Sequence, residues 1–212
     1  MVKLLELFSG THSVGKCCKE LGFDVVSLDI DGRADINISI LDWDYTTYKK
    51  DEFDIIWASP PCDRYSILNY SNIGKKLKRL NGEKLTMDLI KQGWGEADKL
   101  VIKTLEIIKY FNPELWFVEN PSSSNLKNRD IMKDILFYDV DYCRYSDYGY
   151  KKPTRIWTNK QDWNALKCNR MCNNMIGNKH KYNMSDASMS GENRLDLRHR
   201  IPPDLIYSLL LE

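Results

Sequence analysis

The residues with the most chemical content follow short apolar runs. Ala58-Ser59-Pro60-Pro61-Cys62 closes one such run, and two prolines fix the backbone and remove two amide donors. Cys62 is thus held rigidly. It serves as a nucleophile if a neighbour lowers its pKa or takes its proton; as a small buried core residue it does neither. Position alone leaves the two readings level. Phe117-Val118-Glu119-Asn120-Pro121 closes a second run and offers a carboxylate for general acid work, the alternative being a solvated loop glutamate. FSGTHSVG at 8–15 is a turn of small residues that lets a ligand approach backbone and helix N-terminus. Asp29 ends the next run, where such folds bind ribose hydroxyls. Cys168 and Cys172 are spaced C-x3-C, with His180 beyond and Cys143 upstream. Four such ligands close a structural zinc site. The spacing is not a standard finger pattern, and surface cysteines beside a solvated histidine are the other reading.

Apolar runs at 2–8, 24–28, 36–41, 53–58 and 115–119 are strands, each stopped by Gly, Pro, Asn or Asp. Helices are expected at 13–21, at 96–111 with Asn112-Pro113 as its stop, and at 202–211 behind Pro202-Pro203. Cys17 and Cys18 fall in the first helix as core residues. Residues 69–95 look like a long, mobile, basic loop, and 160–194 show little periodicity. Strands alternating with helices argue for an α/β fold, doubly wound around a mostly parallel sheet.

Composition sets the frame. The 212 residues are 42% hydrophobic, 29% charged and 11% aromatic, which suits one soluble domain and excludes collagen-like, mucin-like or wholly disordered chains. No apolar run approaches the roughly 18–20 residues of a membrane helix, and MVKLLELFSG is no secretory signal. Six cysteines are too few for a disulfide scaffold and suggest a reducing compartment. The cytoplasm is the expected location, with the nucleus or a virus-infected cell left open. Residues 1–62 carry 6 Lys/Arg against 11 Asp/Glu, and residues 151–200 carry 11 against 4, so a net charge of +1 hides an acidic first part and a basic last part.

Taken in order, these motifs resemble the DNA cytosine-5 methyltransferases, and among them the compact members of large DNA viruses and phages. LLELFSGTHSVG, the run ending in Asp29, Leu41-Asp42-Trp43, ASPPCDRYS at 58–66, FVENP at 117–121 and Thr154-Arg155-Ile156-Trp157 match six family motifs across about residues 4–158. The resemblance implies a Rossmann-like fold that binds S-adenosylmethionine through Phe8, Ser9, Gly10, Thr11, His12, Asp29, Ile30, Asp42, Trp43 and Pro60. It implies Cys62 as the nucleophile at cytosine C6, Glu119 as the group facing N3 and the exocyclic amine, and Arg155 as holding the flipped base or its phosphate. DNA is the implied partner, contacted by Ser66, Lys75, Lys76, Lys78, Arg79, Lys151, Lys152 and Arg155, with Lys84 in the same basic loop.

The chain departs from that pattern in several places. His12 stands where a glycine is usual, and Pro153 where the first of two arginines is usual. Residues 1–159 are expected to be the catalytic domain, 160–194 a very small recognition segment, and 195–212 a C-terminal helix packing back, with vestigial last motifs in 194–203. So short a segment implies relaxed specificity, or specificity supplied by a partner protein; a monomer is expected. Three other readings remain: a tRNA cytosine-5 methyltransferase, an amino-methyltransferase acting on cytosine N4 or adenine N6, and an inactive nucleic-acid-binding homologue. Restriction protection, regulation and viral genome marking are all open as biological roles.

Overall fold

The computed structural model describes residues 1–183 and 194–211, apart from the side chains at 194 and 195. Seven strands form the main sheet: β1 (Lys3–Leu7), β2 (Asp24–Asp29), β3 (Ile36–Asn37), β4 (Ile55–Ala58), β5 (Leu115–Pro121), β6 (Phe137–Asp141) and β7 (Pro153–Thr158). Their order is β3-β2-β1-β4-β5-β7-β6. The pairings from β3 through β5 are parallel, whereas β7 runs antiparallel to both β5 and β6. The chain moves outward from β1 to β3, then returns to β4 on the other side of β1. That reversal between β1 and β4 is the switch point at which doubly wound sheets bind ligands.

Period-two alternation sorts the strand side chains onto two faces. Leu5, Leu7, Ile56, Ala58 and Val118 pack with Ala97, Val101, Ile108 and Phe111 of α2 (Met87–Phe111). Leu4, Ile55, Trp57, Phe117 and Ile156 pack on the opposite face with α1 (Ser13–Glu20) and α4 (Pro203–Leu211), through Val14, Cys17, Cys18, Leu205, Ile206 and Leu209. A sheet covered on both faces explains why its central strands read as unbroken apolar runs. Among the described residues no helix is long and apolar enough to cross a membrane.

Several expected boundaries move. α2 begins at Met87, nine residues before the expected start, with the Thr86 side chain accepting from the Leu89 amide at 3.3 Å as its N-cap. Gly93 and Gly95 dilute the apolar pattern there, while Ile90, Gly93 and Ala97 are buried along the helix. β3 is two residues long, and Ile38–Ile40 turn away to line a cavity. β6, with two aspartates in five residues, was not expected from periodicity. Residues 69–85 are more organised than a loose loop: Lys76 bridges Lys84, Gly74 N–H donates to the Leu85 carbonyl at 2.8 Å, and Leu85 N–H donates to the Lys75 carbonyl at 3.0 Å. Within 160–194, Trp163 and Leu166 pack onto the α1–α4 face, and β8 (Met175–Ile176) pairs with β9 (Lys179–His180). The remainder of that expected segment, 184–193, lies outside the described residues. The short helix α3 (Arg194–His199) leads into α4.

Candidate active site

A cavity of about 800 Å³ opens at the carboxyl ends of β1, β4 and β5. Phe8, Ser9, Gly10 and Thr11 contribute to its wall from the β1–α1 turn, and Asp29 and Ile30 from the end of β2. Pro60 and Cys62 come from the loop after β4, Glu119 and Asn120 from β5, and Lys152 from the approach to β7.

The β1–α1 turn is built around two carboxylates. Glu6, buried on β1, accepts from the first-turn amides of α1 at Val14 (3.3 Å) and Gly15 (3.1 Å). These are orphan donors that a helix N-terminus must satisfy, and no side chain within the helix caps them. Burial pushes the Glu6 carboxyl up to about 8, opposed by those two amide bonds. A Cβ on Gly15 would meet Glu6 Oε2 at 2.6 Å, so only glycine permits this approach. Asp29 organises the ligand side of the turn. It accepts from Gly10 N–H at 2.9 Å, Ile30 N–H at 2.6 Å and Asp31 N–H at 3.2 Å. His12 takes the left-handed conformation (φ 56°) that favours the glycine usual there, and its Nδ1 lies 3.8 Å from Glu6 Oε2. Ser9 Oγ and Asn120 Oδ1, both on cavity-lining residues, are buried and have no hydrogen-bond partner among the described residues. Buried polar atoms rarely stay unpaired, so this wall suits a polar ligand.

The loop carrying Cys62 is tied down on both sides. Asn120 Nδ2 donates to the Pro60 carbonyl at 2.8 Å, which locks the Pro-Pro-Cys segment to the end of β5. Beyond it, the fully buried Tyr65 donates its hydroxyl to Asp98 of α2 at 2.8 Å, and Arg129 closes on the same carboxylate at 2.6 Å. Burial raises the Cys62 thiol above its ordinary value; the Glu119 charge adds to this and Lys152 opposes it.

Glu119 is buried at 7% exposure, yet it has two polar neighbours. The Tyr142 hydroxyl donates to its Oε1 at 3.1 Å, and Lys152 Nζ stands 3.8 Å from the same oxygen. Lys152 is anchored by donating to the Arg198 carbonyl and lies 4.7 Å from the Tyr142 ring centroid. Complete burial holds the Tyr142 phenol well above its ordinary range, so it remains a donor.

Arg155 is not placed with them. Its guanidinium makes a two-point pair with Asp139 of β6, at 2.7 and 2.9 Å, and stacks 3.6 Å over Phe137. The register explains this, because Asp139 is its direct cross-strand partner at the sheet edge. Since β7 runs antiparallel, its N-terminal approach is the part that reaches the cavity, and Lys152 supplies the cation there. Two other expected contacts also fall elsewhere. Trp43 is a core residue packed on Tyr45, Tyr48 and Phe111, and Asp42 is exposed on the adjoining turn, outside the cavity wall. Ser66 caps a short turn through Leu68 N–H. Lys75, Lys76, Lys78, Arg79 and Lys84 are exposed on the basic hairpin, with Arg79 donating to Asn69 at 2.8 Å. Lys151 pairs with Asp141. Cys143, Cys168, Cys172 and His180 do converge, their ligand atoms all within 4.8 Å of one another.

Some functional neighbours went unnoticed in the sequence. Tyr142 was hidden in an element with no periodic signal, and Glu6 looked like one polar break in an apolar strand. Asp196, Arg198, His199 and Ile201 complete the cavity wall from α3 and its exit. Arg33 reaches Asp196 at 3.7 Å across that wall.

No family model matches the chain. One relative is the "Probable DNA (cytosine-5)-methyltransferase" of Frog virus 3 (isolate Goorha), 37% identical over 220 residues, covering 99% of each chain. This chain belongs to the DNA cytosine-5 methyltransferase family. Solved structures that resemble it include Entamoeba histolytica methyltransferase EhMeth (13% identity, TM-score 0.48, 78% of this chain and 55% of that one). A Spodoptera frugiperda DNMT2 variant (19%, 0.46, 80% and 54%) and S. pombe Dnmt2 (11%, 0.45, 78% and 52%) are similar in the same way. The chain spans about half the length of those methyltransferases.

Proposed function

We propose that the protein transfers a methyl group from S-adenosylmethionine to C5 of cytosine in DNA, through a transient bond between Cys62 and C6. The observation that carries this reading is the convergence of Cys62, Glu119 and Lys152 on the cavity that the β1–α1 turn and Asp29 also line. The S-adenosylmethionine sulfonium supplies the electrophilic methyl group. Ser9, Gly10 and Asp29 are the residues that would hold the cofactor, with Phe8 and Ile30 as apolar wall.

Cytosine C5 is a weak nucleophile until a thiolate adds at C6 and makes it enamine-like. Cys62 rests as a thiol at neutral pH, because burial and the Glu119 charge both disfavour its anion. Addition therefore requires the thiol proton to leave and cytosine N3 to gain one. In this reading the Glu119 carboxylate carries that proton to N3, supported by the Tyr142 hydroxyl that donates to it and by Lys152, which balances its charge. After methyl transfer, water takes the C5 proton, the C6–sulfur bond breaks by elimination, and the N3 proton returns through Glu119 to the departing Cys62 thiolate. A base within a duplex is out of reach of this cavity, so the target is flipped out, and the exposed lysines of the 75–84 hairpin supply phosphate contacts.

Labelled-methyl transfer to DNA, with tRNA alongside, tests the assignment. Turnover is expected on DNA at C5, abolished in Cys62→Ala and Cys62→Ser, and lowered about 10²–10⁴-fold in Glu119→Gln. DNA containing 5-fluorocytosine should trap a covalent complex, because fluorine does not leave as a proton. Product on an exocyclic nitrogen, methylation confined to tRNA, or activity retained in Cys62→Ala overturns the reading.

A further inference from the structure

The Cys143-Cys168-Cys172-His180 cluster lies outside the catalytic cavity and takes no part in methyl transfer. Cys143 sits on the turn after β6, Cys168 and Cys172 on the following loop, and His180 on β9. Cys168 Sγ lies 3.6 Å from Cys172 Sγ, and His180 Nε2 lies 3.5 and 3.4 Å from those two sulfurs. A tetrahedral zinc ion with ordinary bond lengths separates its ligands by roughly 3.8 Å for two sulfurs and roughly 3.6 Å for sulfur and nitrogen. The three observed separations fall within about 0.2 Å of those values. All six cysteines are free thiols, and a sulfur–sulfur separation of 3.6 Å is no covalent bond.

The surroundings fit a charged centre. The Arg170 amide points at Cys168 Sγ at 3.3 Å, and the Cys168 amide is fixed by Asp141 Oδ2 at 2.7 Å. Three thiolates and an imidazole around Zn²⁺ leave one net negative charge. Arg170 and Lys179 line the same groove as Cys168 and His180 and offset it, while Lys151, also in that groove, is paired with Asp141. Asn174 braces the frame by donating to the Cys143 and Ser146 carbonyls and accepting from Gly149 N–H.

We propose that these four residues bind one Zn²⁺ in a closed, structural site that clasps the 168–182 segment to the end of β6. Soft thiolates with one imidazole in tetrahedral array select zinc over magnesium or calcium, and a full set of four protein ligands leaves no open position for catalysis. The clasp also bears on the approach to β7. Tyr182 N–H donates to the Gly149 carbonyl at 2.8 Å, three residues before Lys152.

Metal analysis of the full-length chain expressed with zinc tests this, whether or not the methyltransferase reading holds. One zinc per chain is expected. Exchange for Co²⁺ should give a thiolate-to-cobalt charge-transfer band and the strong visible bands of a tetrahedral ion. Cys168→Ser with Cys172→Ser should lose the metal, whereas Cys62→Ser should keep it. If the double variant fails to fold, His180→Cys decides: it should retain one equivalent and shift the cobalt spectrum toward all-sulfur coordination. A metal-free native protein, a Cys168–Cys172 disulfide in it, full zinc in the double variant, or an unchanged cobalt spectrum in His180→Cys would each overturn the proposal.

Discussion

Cys62 and Glu6 both hold their protons to higher pH than ordinary solvation would allow, with consequences that can be measured. Burial and Glu119 raise the Cys62 thiol above 9.0. Its alkylation by iodoacetamide, followed by peptide mass analysis, should be slower at neutral pH than that of a free cysteine and should still be climbing above about pH 9. Lys152→Met removes an opposing charge and should slow it further. A plateau below about pH 9 would contradict this geometry. Glu6 bears on stability. Its carboxyl titrates near 8 in the folded protein against 4.5 ordinarily, so between those values the folded state holds a proton that the unfolded chain has released. Stability should therefore fall as pH rises through that window, by about 1.4 kcal/mol per pH unit, with no slope from this group outside it. Glu6→Gln should flatten the fall. Urea denaturation of both proteins at about pH 5 and about pH 8 checks this, and identical slopes would refute it. The sequence showed Cys62 and Glu119 as candidates because of the stops that follow their strands. It showed nothing of the Tyr142 hydroxyl on Glu119, since 23 residues and a strand reversal separate the two.

At the scale of elements, the site is a set of strand ends held in register by a few buried bonds. Asn120 is the clearest case, its amide binding β5 to the Pro60 carbonyl. Asn120→Ala leaves that carbonyl without its partner and should cost about 1–3 kcal/mol in denaturant melts. Because the Cys62 loop is thereby loosened, turnover should drop while cofactor affinity changes less. Unchanged stability and turnover together would show that the prolines suffice. The register of β7 decided the fate of Arg155. Sequence order placed it after the Glu-Asn motif, but a cross-strand aspartate captures its charge and leaves Lys152 at the mouth. The start of α2 was likewise set by packing. Gly93 weakens the helical pattern, yet it is buried together with Ile90 and Ala97 on the packed face of the helix.

Across the whole molecule, charge and fold coincide. The acidic first part contains Asp29 at the cavity, and the 75–84 hairpin and the 151–200 stretch are rich in Lys and Arg. If the hairpin lysines meet phosphate, removing each one should make the slope of log affinity against log salt shallower by about 0.9. Lys75→Ala, Lys76→Ala and Lys78→Ala together, assayed by salt-dependent DNA binding, should show that shallower slope with little change in melting temperature. An unchanged slope would remove the hairpin from the interface. The parallel core strands, the stops that place Cys62 and Glu119 at strand ends, and the family motifs are legible along the chain, because these are local: apolar runs, turn residues and fixed short spacings. Only the tertiary structure decided which cation faces Glu119, that Trp43 serves the core, and that four ligands scattered over 38 residues meet within 4.8 Å. Those outcomes depend on antiparallel pairing and on loops returning to the sheet, and no spacing along the chain encodes which distant side chains such returns bring together.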